Sequence, residues 1–181
     1  DHTGEPNLSV AADGAVLLSY LREVDGVAEL NLRELSADGW SKPKVIARDE
    51  NLLVNWADFP SVIKADDGEL IAHWMVRSTS AKYAYDVYVA SSADGGDTWS
   101  QPERLHSDSS ATEHGFVSLY SDDKGAGAFW LDGRVRRLEG VRFEGPSDPQ
   151  RQNWRIRSLA GDEVDLEFDL VDGPTGDGTG L

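Results

Sequence analysis

The chain repeats itself at long range, and this constrains its fold more than any other feature. Pro6-Asn7-Leu8 is followed by Asp13-Gly14, and Pro60-Ser61-Val62 by Asp67-Gly68. In both copies Gly stands eight residues after Pro, and an aromatic residue (Tyr20 or Trp74) stands six residues after that Gly. The copies also close alike: Trp40-Ser41-Lys42-Pro43 with Ile46, and Trp99-Ser100-Gln101-Pro102 with Leu105. The offset from Pro6 to Pro60 is 54 residues. A repeat of this length means that each unit is one supersecondary element which buries its apolar face against the next copy.

Within a copy the pattern is that of strands. Glu29, Asn31 and Arg33 alternate with Leu30 and Leu32, while Tyr85, Val87 and Val89 alternate with Asp86 and Tyr88. Period-two alternation places successive side chains on opposite faces of a strand. Asp-Gly and Gly-Gly pairs between these segments supply tight turns. A third copy starts near Glu113-His114-Gly115-Phe116 and runs through Gly125 to Phe129-Trp130-Leu131. Beyond Arg134 the repeat fades, although Trp154/Ile156 and Val164/Leu166/Phe168/Leu170 still alternate with charged residues. No stretch has the spacing of an amphipathic helix.

The expected architecture is therefore all-β: a partial β-propeller of about three four-stranded antiparallel blades. The expected bounds are residues 5–50, 55–108 and 113–172, with a flexible Gly/Asp-rich tail at 173–181. Three alternatives are open: further blades belong to the same protein, another chain supplies them, or the ring does not close and leaves sheet edges exposed.

Ser92-Ala93-Asp94-Gly95-Gly96-Asp97-Thr98-Trp99 follows the pattern Ser-x-Asp-x-Gly-x-Thr-Trp, known as an Asp box. Asp94 can accept hydrogen bonds from the N–H groups of its own turn. Gly96 can take a positive φ, and Trp99 can bury its ring between sheets. Turn chemistry accounts for Ser92, Asp94, Gly96, Thr98 and Trp99, so the box is read as structural. Ser36-Ala37-Asp38-Gly39-Trp40 is a shorter, degenerate copy.

Composition narrows the chemistry. Acidic residues number 33 against 17 basic ones, for a net charge of −16. Such a surface repels phosphate backbones and argues against nucleic acid as a partner. No apolar run is long enough to span a membrane. The absence of cysteine removes thiolate metal sites and thiol nucleophiles. Calcium-loop spacing is also missing, so neither a metal nor a cofactor is expected. No phosphate-binding glycine loop and no Gly-x-Ser-x-Gly elbow occurs.

Asp boxes spaced by a blade length resemble those of the sialidase (neuraminidase) superfamily, over roughly residues 5–135. The resemblance implies a six-bladed ring with the site at its central axis and the boxes at its periphery. It also implies a secreted or periplasmic setting and a glycan or other small ligand. Members use three arginines for the substrate carboxylate, an Asp as acid/base, and a Tyr assisted by a Glu. The first of those arginines belongs to an Arg-Ile-Pro motif. The equivalent stretches here read Asp58-Phe59-Pro60 and Gly4-Glu5-Pro6. An acid at that place would repel sialate.

By the same resemblance Asp86 falls where the acid/base Asp often lies, and Arg77 where many members carry an Arg. The residues themselves add further candidates. Asp58, Glu113 and His114 open the second and third blades, where inner strands meet the channel, and with Asp86 they form the expected catalytic set. Asn55, Tyr85, Asp132 and Arg134 join Arg77 as expected ligand contacts; Asp132-Gly133-Arg134 also fits a surface turn with its own ion pair. Three functions remain open: a sialidase-like glycoside hydrolase relative, a non-catalytic propeller that binds protein or polysaccharide, and a truncated inactive relative.

Overall fold

The computed structural model describes residues 3–107, 109–122, 125–134, 137–144 and 155–158. Thirteen strands and no helix occur among them. The first sheet contains β1 (Thr3–Val10), β2 (Val16–Val24), β3 (Val27–Ser36), β4 (Gly39–Trp40) and β5 (Lys44–Asp49). The second contains β6 (Ser61–Lys64), β7 (Leu70–Arg77), β8 (Tyr85–Ser92) and β9 (Glu103–Arg104). The third contains β10 (His114–Asp122), β11 (Gly125–Asp132), β12 (Arg137–Glu144) and β13 (Arg155–Ser158). Every ladder between these strands is antiparallel. The arrangement is an all-β, partial propeller-like fold.

Two apolar layers bind the sheets into a stack. Leu17, Leu21, Leu30 and Leu32 of the first sheet pack with Val62, Leu70, Ala72 and Trp74 of the second. Ile71, Met75, Val87 and Val89 of the second pack with Ala126, Ala128 and Trp130 of the third. Alternate residues of β7 thus serve the two layers. A strand buried on both faces has no polar face to show, which is why Leu70–Val76 reads as one apolar run apart from His73. The contact order follows the chain: β1 and β2 meet β6, and β6, β7 and β8 meet β10.

In β3, Glu29 and Asn31 are buried along with Leu30 and Leu32. Asn31 donates to the Glu29 carbonyl, and Arg48 of β5 reaches Glu29 at 2.7 Å. Pairing on both sides covers the strand, and these bonds satisfy its polar groups. Beyond Arg134, where the repeat fades but strand alternation persists, β12 and β13 add the third and fourth strands of the sheet. The expected alternation at 164–170 and the tail at 173–181 lie outside the described residues.

The Asp box closes on itself by local bonds. Asp94 accepts from the Thr98 N–H (2.9 Å), the Thr98 hydroxyl (2.6 Å) and the Ser92 hydroxyl (2.8 Å). These donors hold its carboxyl far below the usual range, Thr98 first. Ser92 also accepts from the Gly96 N–H at 2.8 Å, and Gly96 has φ +87°. Lys44 of the first sheet reaches Gly95 O (2.8 Å) and Asp97 (2.7 Å), so the box also clips two sheets together. Trp99 packs on the first apolar layer. It precedes β9 (Glu103–Arg104) by several residues.

Candidate functional site

The groups that carry chemistry gather where the second sheet meets the third. Each reaches that place for a local reason. Asp58 lies in the loop before β6, and Pro60 then directs the chain into the strand. Tyr85 and Asp86 open β8. Glu113 and His114 lie at the start of β10, where a parallel bridge joins Tyr85 to Glu113. Asp132 closes β11, beside Gly133, whose N–H bonds to Glu113 O.

A bulge in β10 makes the junction possible. Its register against β11 shifts between Gly115 and Ser118, and Phe116 takes φ +52°. A side chain in that left-handed region is strained. The turn aims the Phe116 N–H at Asp58 Oδ1, 2.9 Å away. A Cβ at Gly115 would lie 1.9 Å from Asp58 Oδ2 and 2.9 Å from Tyr85 Cε2, so only glycine admits this contact. The inner strand of the first blade carries the same device, with a shift between Gly4 and Asn7 and Glu5 at φ +50°.

Tyr85 joins two carboxyl groups. Its hydroxyl donates to Glu113 Oε1 at 2.6 Å and also lies within hydrogen-bonding reach of Asp58. Asp58 and Tyr85 are buried, at 3% and 2% exposed, and Glu113 is half-buried. Burial raises the Asp58 carboxyl, with the Glu113 charge adding to it, while the Phe116 N–H and the Tyr85 hydroxyl work the other way. Burial also raises the Tyr85 hydroxyl far above its usual value, helped by its bond to Glu113 and by both nearby charges. One hydroxyl proton cannot serve two carboxylates. With that proton on Glu113, Asp58 Oδ2 has no hydrogen bond. A proton on Asp58 would complete a chain from Asp58 to Tyr85 to Glu113.

A second cluster lies against the first. Asp86 is buried, with Arg104 at 3.5 Å from Oδ2 and His106 Nε2 at 3.6 Å from Oδ1. His114 is fully buried; its Nδ1 is 3.3 Å from Tyr85 O and 3.9 Å from Asp86 Oδ1. The His106 and His114 rings stack 3.7 Å apart, 8° from parallel. Asp132 takes a forked pair of bonds from Arg134, which holds its carboxyl down to about 2 against the cost of burial. The turn reading of Asp132 and Arg134 thus describes their bonding, but its carboxylate end is buried, not on the surface.

Other candidates stand apart. Asn55 is engaged in its own turn, accepting from the Ala57 N–H at 3.0 Å. Arg77 is exposed at the end of β7, in register with Tyr85. Trp56 is 86% exposed. Phe59, Tyr83 and Phe116 are exposed as well, so large rings flank Asp58, Tyr85 and Gly115 along the chain. Sequence reasoning undervalued His106 and did not pair Tyr85 with Glu113. Only the aromatic run around Tyr85 hinted at the latter. An open cleft also lies at the first blade, lined by Glu5, Arg22, Glu23, Glu50 and Val54, away from both clusters.

No protein-family model matches the chain, and no curated protein matches it. Among solved structures it is similar to a protein of unknown function from Dyadobacter fermentans DSM 18053, with a TM-score of 0.53 and 15% identity over 86% of this chain and 54% of that one. It is also similar to a thermostable family-43 glycoside hydrolase, with a TM-score of 0.50 and 12% identity over 86% and 57%. Polysaccharide lyase Uly1 aligns at a TM-score of 0.41, with 10% identity over 85% and 48%. The first two likenesses are likenesses of fold. The chain spans about half the length of these structures.

Proposed function

We propose that this chain forms part of a sialidase-like, Asp-box propeller that binds a glycan at the junction of its second and third blades and hydrolyses a glycosidic bond there. The observation that carries this reading is the Tyr85 hydroxyl set between Asp58 and Glu113. Two carboxyl groups in different surroundings are what acid/base cleavage of a glycoside requires. Asp58, raised by burial, is the acid. Glu113, more accessible, accepts a proton through or beside Tyr85. Asp86 and His114 lie against this group and hold the Tyr85 end of β8. The exposed rings of Trp56, Phe59, Tyr83 and Phe116 offer stacking faces for sugars. Arg77, Asn55 and Arg134 are the remaining proposed ligand contacts, with buried Asp132 holding the Arg134 guanidinium in place.

Acidic groups crowd the site and Asp58 replaces an arginine of the resembled pattern, so the ligand is a neutral or amino sugar rather than sialate. The proposed blade bounds are those given above, with the ring completed by further blades or a second copy.

Chromogenic neutral, amino and sialyl glycosides, with a glycan array for binding, test the reading. Asp58→Asn and Glu113→Gln are each expected to reduce turnover by about 10²-fold or more. Unchanged turnover in both variants refutes the roles; neither binding nor turnover with any glycan refutes the function. The burial of Asp58 and Tyr85 favours a second reading, in which the blades bind glycan without cleaving it. Binding that survives with no measurable turnover would select it.

A further inference from the structure

We infer that Asp86, His106 and His114 hold one divalent transition-metal ion that fastens the second sheet to the third. This departs from the expectation of no metal and does not depend on the proposed glycan chemistry. The three residues come from β8, from the segment after β9, and from the start of β10. One ligand atom from each lies within 4.8 Å of the others, and all three residues are buried. Asp86 Oδ1 faces both imidazoles, at 3.6 and 3.9 Å, and has no hydrogen bond. A buried carboxylate oxygen without a hydrogen bond is unfavourable, and a cation on that oxygen removes the defect.

The donor set selects the ion. Two imidazoles and one carboxylate suit zinc and its neighbours, whereas calcium and magnesium take oxygen ligands. Bonds of about 2.0–2.2 Å need ligand atoms roughly 3.3–3.6 Å apart around a tetrahedral ion, so the two separations to Asp86 Oδ1, 3.6 and 3.9 Å, are close to that span, and the two imidazoles, within 4.8 Å, must draw together on loading. The stacked rings hold their nitrogen lone pairs in nearly parallel planes, so both cannot point at one ion. Loading must therefore turn one ring out of the stack. His114 is the ring to turn: Nδ1 lies 3.9 Å from Asp86 Oδ1 and 3.3 Å from Tyr85 O, so loading gives up the carbonyl contact, while Nε2 faces Asp132 Oδ1 at 4.0 Å. Binding through Nδ1 moves its proton to Nε2, where Asp132 can accept it in the manner of a carboxylate that orients a metal-bound histidine. Arg104 stays on Asp86 Oδ2, and Arg134 bonds both oxygens of Asp132, leaving Oδ1 to accept from His114 as well.

The test uses the full chain, free of affinity tag and stripped with EDTA. Titration with ZnCl₂ is expected to show one ion per chain, with CaCl₂ giving no comparable heat. At a hundredfold excess over the dissociation constant the melting temperature should rise by about 5 °C or more. His106→Gln and Asp86→Asn should each weaken binding at least tenfold, whereas Asp58→Asn should not. Because a buried variant can fail to fold, Co²⁺ absorption of the unmodified chain gives an independent readout. Intense visible bands that Zn²⁺ displaces support the site. A spectrum identical to aqueous Co²⁺, or zinc affinity unchanged in a folded His106→Gln chain, overturns it.

Discussion

Replacing Gly115 by alanine puts a methyl group where the carboxylate of Asp58 already stands. The new Cβ would lie 1.9 Å from Oδ2, and real Cβ atoms do not approach closer than 3.0 Å, so Asp58 must retreat by about 1 Å. It cannot do so freely, since its other oxygen holds the Phe116 N–H at 2.9 Å and Tyr85 Cε2 stands 2.9 Å from the same methyl. Overpacking of a filled site costs about 1–3 kcal/mol, and a hydrogen bond to a charged group is worth about 1.5–3 kcal/mol. These overlap, because the displaced carboxylate loses both at once. A net loss of about 2–3 kcal/mol is expected for Gly115→Ala. Urea unfolding followed by tryptophan fluorescence measures it. The decisive comparison is Asp58→Ala with Gly115→Ala. Removing the carboxylate makes room for the methyl, so the double variant should be more stable than the sum of the singles by at least about 1 kcal/mol. Additivity within about 0.5 kcal/mol, or a neutral Gly115→Ala, would refute the claim that these residues share one filled space.

Burial in β7 pushes His73 down to about 3, from 6.5. It binds its proton in the unfolded chain first, so its contribution is complete above pH 6.5 and is lost as pH falls toward 3. The slope should approach 1.4 kcal/mol per pH unit near the middle of that range. His73→Gln should flatten it in denaturation series between pH 6 and 5, and equal slopes in both proteins would contradict the assignment. In the Asp box, Ser92→Ala leaves the buried Gly96 N–H without its acceptor. A loss of about 1–2 kcal/mol is expected from chemical denaturation, and a change within about 0.3 kcal/mol would show that the hydroxyl bond is dispensable.

What the sequence determined alone was everything that acts over short range. The Asp box is legible because the bonds of its Ser92, Asp94 and Thr98 side chains fall between Ser92 and Thr98, and turn propensity needs no distant partner. The repeat revealed the strands, and their antiparallel order followed from the short connections. Asp58, Glu113 and His114 could be singled out as residues that open blades, and Asp86 by the family resemblance. Which of them meet could not be read, because Tyr85 and Glu113 are 28 residues apart and Asp58 and Phe116 are 58 apart. Their meeting depends on how two sheets stack and on a bulge that turns one N–H toward one carboxylate. The same packing stacks His106 on His114, and it leaves Arg77 and Trp56 in solvent. Side-chain identity places a residue on a strand. Only the apolar layers between sheets, which fix distance and burial together, decide its neighbours and hence its chemistry.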